Sequence, residues 1–420
     1  MAKSAQWVAT VVLMGVTLTG GTGFGEETVE RMARAANANG SEAPAASRIT
    51  GTNTVEKPEG VLARAAWQMA AGIQSPIDAG RETIGVARRF AAAGRTDYLQ
   101  DAGRLQHLPP AQREAWIRSG VLAYQACAVA TSGDQRRAKD LLAQAQREAG
   151  ATIEWRRPLV EQPLANGEAA VMLEGAWRAQ GLAVATNAMM QWMALEPGRR
   201  MGAVAWACAW KARYLADAKL SPELVAVAMR VASSLPAWEQ LEIMACLSPI
   251  NTQAVTRAEA RASIESFTQR GDRDATNQVC DQASAGTTTN DTRRKNAKVV
   301  ISSVPVFDSL VHMAEVCWGC GDTARAVSLL AEARARVEAG QEEDRPGAWR
   351  VLAQGYQRMG ETAQAKAALC QSLTTGDTQP GFNREIALTR TLAMMAVSGL
   401  LWTEADVAAA LKAAKVEGYR

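Results

Sequence analysis

The chain has 420 residues, 48% of them hydrophobic and 21% charged, enough apolar material for two ordinary domains or one extended helical array. Its 46 basic and 43 acidic residues leave a formal charge of +3, a balance that gives no case for a nucleic-acid partner. Only two histidines, His107 and His312, are present, so a histidine metal cluster is nearly excluded and a Ser-His or Cys-His mechanism is weakened.

At the N-terminus, Lys3 supplies a positive start and Trp7 to Leu18 an apolar core. Gly23 and Gly25 then meet the small-residue rule for cleavage before Glu26. Residues 1–25 are expected to be an export signal, which implies a periplasmic or secreted protein. The alternative is an uncleaved membrane anchor, because Gln6 to Gly25 carries no charge. Residues 26–59 are rich in Ala, Asn, Ser, Gly and Thr and read as a disordered linker.

Helical periodicity begins near Val61 with Leu62, Ala65, Ala66 and Met69 and runs almost unbroken to about residue 283. Prolines 109, 110, 158, 197, 222 and 236 punctuate it; Ser75-Pro76 and Ser221-Pro222 are expected helix starts. Residues 60–283 therefore form an N-terminal helical-hairpin region, in which units cannot be placed between about 150 and 235. Residues 284–298 are polar and predict an exposed loop. Residues 299–420 form a second, more regular helical region. Strand-like alternation is nearly absent, and Lys298 to Val306 is the main β-branched run.

Three turn glycines, Gly133, Gly321 and Gly360, sit inside one recurring set of residues. Small residues stand seven before (Ala126, Ala314, Ala353), five after (Ala138, Ala326, Ala365) and twelve after (Ala145, Ala333, Ser372). A leucine stands nine after: Leu142, Leu330, Leu369. Small residues are needed where two helix axes approach closely, and the leucine fills the space toward the next unit. Each glycine supplies a left-handed helix end, and the Asp or Glu after it, or the following Thr, caps the next helix. Gly321, Gly360 and Gly399 are 39 residues apart.

This pattern resembles the tetratricopeptide repeat, whose unit is about 34 residues, with longer loops between units here. The resemblance is clearest at about 119–150 and 307–375. It implies an all-α fold, an α-solenoid of antiparallel helical hairpins that is irregular in the middle. It also implies a non-catalytic role as a protein–protein interaction scaffold or adaptor in the cell envelope, with a protein or peptide partner and no cofactor. In such solenoids the first helix of each hairpin lines the concave face. Three, six and ten residues before the turn, that face would carry Trp318, Glu315 and Val311, then Gln357, Gln354 and Arg350, as a partner-binding groove.

No catalytic motif stands out. Cys317-Trp-Gly-Cys320 has the spacing of a thiol–disulfide pair, but it ends its helix, whereas redox cysteines favour a helix N-terminus; a core pair or a local disulfide fits better. Seven cysteines is an odd number, and Cys127, Cys208, Cys246 and Cys370 fall on apolar helical faces. Arg270-Gly271-Asp272 is short enough to arise by chance. Twelve tryptophans against five tyrosines suggest wedges between helices, with Trp67, Trp116, Trp177, Trp206, Trp210, Trp238 and Trp349 each following an alanine. A minority could line a sugar-binding cleft. An exported helical-toroid carbohydrate-active enzyme or sugar-binding protein is therefore the alternative, against which the scarcity of His and Tyr counts.

Overall fold

A computed structural model describes residues 57–102, 114–214, 221–235, 237–247, 304–340 and 344–415. The chain divides into two units, Met1–Val55 and Glu56–Arg420, and all the described residues belong to the second. The expected signal, nearly all of the linker, the polar loop at 284–298, the run to Val306 up to residue 303, His107 and the Arg-Gly-Asp tripeptide lie outside the described residues.

The described residues are all-helical. The helices are α1 Pro58–Gly72, α2 Pro76–Ala92, α3 Thr96–Ala102, α4 Ala115–Ser132, α5 Gln135–Gly150, α6 Pro158–Gln180, α7 Leu182–Leu195 and α8 Pro197–Tyr214. They continue with α9 Ser221–Ala232, α10 Ala237–Leu247, α11 Val304–Gly319, α12 Thr323–Glu338, α13 Arg345–Arg358, α14 Thr362–Asp377, α15 Phe382–Val397 and α16 Glu404–Ala414.

The turns follow the sequence pattern closely. Gly133, Gly321 and Gly360 have φ of 100°, 77° and 80°, and Gly94 has 65°. At each, the glycine N–H donates to the carbonyl three residues back and the next N–H to the carbonyl five residues back: Gly133 to Ala130 and Asp134 to Val129, Gly321 to Trp318 and Asp322 to Cys317, Gly360 to Gln357 and Glu361 to Tyr356, Gly94 to Ala91 and Arg95 to Phe90. These paired bonds satisfy carbonyls that a helix end leaves open, in a geometry that favours residues without Cβ. Asp134 and Asp322 then cap α5 and α12 by accepting from the N–H of Arg137 and Arg325. Ser75 caps α2, accepting from Asp78 N–H. Glu361 makes no side-chain cap.

The small positions and their leucines are buried without exception: Ala126, Ala138, Leu142, Ala145, Ala314, Ala326, Leu330, Ala333, Ala353, Ala365, Leu369 and Ser372. Each large apolar side chain that joins them in the core, such as Leu352 or Phe90, contributes about 1.5–3 kcal/mol by leaving water. Trp67, Trp116, Trp206, Trp210 and Trp349 are buried wedges as expected, and Trp177 is partly buried. Trp67 and Tyr98 each meet the Phe90 ring edge-to-face, with centroids 5.6 and 5.4 Å away. Cys127, Cys208, Cys246 and Cys317 are buried, whereas Cys370 is exposed, contrary to its apolar-face reading.

Eight helices form a closed series. α2 packs on α4, α4 on α6, α6 on α8, α8 on α10, α10 on α11, α11 on α13, α13 on α15, and α15 returns to α2. The others lie against the joints of that series: α3 at α2/α4, α5 at α4/α6, α7 at α6/α8, α9 at α8/α10, α12 at α11/α13, α14 at α13/α15 and α1 at α15/α2. α16 covers α1 and α14. The two helical regions thus share one continuous core, and hairpins at Gly181 (α6–α7) and between α8 and α9 fill the stretch where sequence placed no units.

Candidate functional site

The eight helices of the series also carry the buried charges. Glu82 (α2), Glu174 (α6), Lys211 (α8), Glu315 (α11) and Arg350 (α13) are all buried. A buried charge is costly unless paired, so what pairs these groups is informative.

Five of the eight joints of the series are bridged by the following side-chain bonds. Asn166 Nδ2 donates to the Tyr124 hydroxyl across α6/α4 at 3.3 Å. Lys211 Nζ meets Glu174 Oε2 at 2.6 Å across α8/α6 and donates to the Thr131 carbonyl of α4 at 2.9 Å. Arg358 Nη1 donates to Glu315 Oε2 across α13/α11, where His312 Nδ1 stands 3.1 Å from the same oxygen. Arg350 Nη1 donates to the Ala387 carbonyl at 3.2 Å and Thr391 Oγ1 at 3.3 Å across α13/α15. Arg390 grips Glu82 across α15/α2.

These pairings perturb proton affinities. Burial would raise the Glu315 carboxyl, but Arg358 and His312 outweigh it and hold the group below its usual range. Burial would lower His312, but Glu315 outweighs it and raises the imidazole. Burial pushes the Glu239 carboxyl up, against the Trp206 indole that bonds to it and the charge of Arg88. Burial, with repulsion from Arg350 and Arg390, lowers Arg89 to about 9.

Arg88 shows that the series faces a common interior. It lies on α2, yet its guanidinium stands 5.9 Å from the Trp206 ring on α8, three joints away, and it remains solvent-exposed. Around that interior stand Arg88 and Arg89, Trp206, Glu239, and the Glu82–Arg390 pair. None belongs to a motif in the sequence, where only Trp206 stands out, as one of the tryptophans that follow an alanine.

The six residues expected to line a groove divide. Val311, Glu315 and Arg350 are buried in contacts within the fold: Val311 beneath Gly355, Glu315 between Arg358 and His312, Arg350 against α15. Each is taken up by its own helix or the next helix of the series, so these positions face the neighbouring hairpin and not a groove. Gln357 is half-buried and donates to the Ser398 carbonyl. Trp318 and Gln354 are half-buried, Trp318 resting on the core.

Among the described residues, no group of three or more His, Cys, Asp or Glu side chains converges as a metal site, and no helix is long and apolar enough to cross a membrane. Comparison with protein-family models, with curated proteins and with solved structures gives no match.

Proposed function

We propose that residues 56–420 are a tetratricopeptide-like array of helical hairpins, exported to the cell envelope, that serves as a non-catalytic scaffold or adaptor for a protein or peptide partner. The observation that carries this reading is the repeated hairpin: four turns with the same paired backbone bonds, flanked in three units by the same buried small residues. Arrays of that kind bind through the first helix of each unit. Here those helices are the ones in the closed series, and Trp318 and Gln354 keep accessible surface on two neighbouring members of it. The test is chemical cross-linking in envelope extract followed by mass-spectrometric identification, with the wild type beside Trp318→Ala and Gln354→Ala. Loss of one reproducible partner in either folded variant supports the reading. A wild-type chain with no partner above a control protein, or one that remains fully captured by both variants, overturns it. The export step is tested by N-terminal sequencing, with a mature terminus near Glu26 expected.

One observation favours a second reading, a helical toroid acting on carbohydrate. Alternation of inner and outer helices in a closed series is the arrangement of a toroid, and Glu239, with its carboxyl raised, stands beside Trp206. A raised carboxyl can serve as a general acid, and an indole face can stack on a sugar ring. Product release from a polysaccharide panel that disappears in Glu239→Gln would establish it; an inert wild-type protein would remove it.

A further inference from the structure

Three arginines on three consecutive helices of the closed series surround a single buried carboxylate. Arg390 of α15 spends its Nε and Nη2 on Glu82 and keeps Nη1. Arg350 of α13 spends Nη1 on backbone and hydroxyl oxygens, and its Nη2 lies 3.8 Å from Asp344, whose side chain is largely in solvent. Arg89 of α2 has no carboxylate partner among the described residues. Its Nη1 lies within 3.5 Å, and Glu82 Oε2 within 3.9 Å, of the point a Gly85 Cβ would occupy. Arg89 Nη1 and Glu82 Oε2 thus flank the same point on α2, which sets the Arg89 guanidinium beside the Glu82–Arg390 pair. Arg88 precedes it on the same helix and faces the Trp206 ring and the Glu239 carboxyl.

The local charge is lopsided. Among the described residues, Glu82 is the one buried carboxylate shared by the three guanidiniums, Asp308 adds to it at Arg350, and Asp344, half in solvent, offsets Arg350 and Arg390 only weakly through water. An unpaired guanidinium beside other arginines is stable only where solvent or an anion compensates it. Arg89 and Arg390 both retain solvent access, so a ligand can reach them. The guanidinium fork matches the paired oxygens of a carboxylate or phosphate.

We propose that Arg89, with the spare donor of Arg390, forms a binding site for the oxyanion of a small ligand, a carboxylate or a phosphate, on the inner face of the α2 and α15 helices, with the buried Arg350 adding positive charge behind it. Burial and then repulsion from Arg350 and Arg390 already weaken Arg89's hold on its proton, and an anion relieves the repulsion when it binds.

The test is isothermal titration calorimetry of the full chain with inorganic phosphate and with glucuronate, at ionic strength matched with chloride. One saturable site for at least one anion is expected, and which anion binds separates a phosphate ligand from a sugar acid. Arg89→Gln should weaken it about tenfold or more while leaving the ligand-free melting temperature equal or higher. Arg89→Lys keeps the charge without the fork and should also weaken it, and it is the deciding variant if Arg89→Gln does not fold. Absence of saturable binding by either anion, or unchanged affinity in the deciding variant, overturns the site.

Discussion

Arg390 closes a fork on both carboxylate oxygens of Glu82, 308 residues away in sequence, with its Nε 2.9 Å from Oε2 and its Nη2 2.5 Å from Oε1. The bond ties the last helix of the closed series to the first. Glu82 is buried while the Arg390 side chain is 36% exposed, so most of the desolvation cost falls on the carboxylate. Removing that carboxylate leaves Arg390, Arg89 and Arg350 to repel one another. Glu82→Ala is therefore expected to cost about 3 kcal/mol, measured by urea denaturation. Glu82→Gln keeps the shape and loses the charge, and should fall between the two. Equal stability of all three proteins would show that the pair does not hold the series closed.

Closure also makes the two ends of the described unit interdependent. In an open array the terminal repeat can be removed at the loss of little more than its own interface. Here α15 packs on α1 and α2, and α16 packs on α1, whose Leu62 and Ala66 are fully buried. A chain ending at Pro380 should expose that apolar surface, bind a hydrophobic dye and lose its cooperative thermal transition in circular dichroism. A truncated protein that melts as sharply as the parent would mean that the α15–α1 contact adds little.

Close approach of α2 and α4 rests on two glycines. A Cβ at Gly80 would lie 2.1 Å from the Trp116 ring, and one at Gly120 would lie 2.6 Å from Ile84 Cδ1. Gly80→Ala gains helix propensity of about 1 kcal/mol but forces a ring aside in a packed core, with a net loss of about 1–3 kcal/mol expected. Gly72→Ala meets nothing within 4 Å and should gain up to about 1 kcal/mol. Chemical denaturation of the two variants should move the midpoint in opposite directions; movement in the same direction would contradict the packing.

The His312–Glu315–Arg358 cluster predicts a pH window. His312 is raised above its ordinary 6.5, so its contribution is fully present below 6.5 and is lost as pH climbs through the raised value. Glu315 is lowered below 4.5, so its contribution is present above 4.5 and is lost as pH falls through the lowered value. The cluster should stabilise most between those limits. Melting temperatures of His312→Gln should fall less steeply above pH 6.5 than those of the parent. Parallel curves would remove His312 from the stability profile.

Local structure was legible in the residues because its causes are local. A glycine followed by an acid at a helix end specifies the paired backbone bonds at Gly133 and Gly321. Alanines at fixed offsets specify where helices touch, and prolines and Ser75 specify where they start. Hence the all-helical class, the hairpins and the buried small positions could be read directly. The weak stretch from 150 to 235 was opaque because Gly181 has φ 86° and ψ 167°, a different turn from the one repeated elsewhere.

What joins the first helices to the last is decided only by tertiary structure. The contact of α15 with α1 and α2 depends on the curvature accumulated over every hairpin between them, which no short spacing encodes. Packing of each helix on the next takes Val311, Glu315 and Arg350 out of the expected groove, and closure brings Arg88, Arg89, Trp206, Glu239 and Arg390 around one interior. Their separation in sequence leaves no motif, because charges held together across a fold need proximity in space and place no constraint on spacing along the chain.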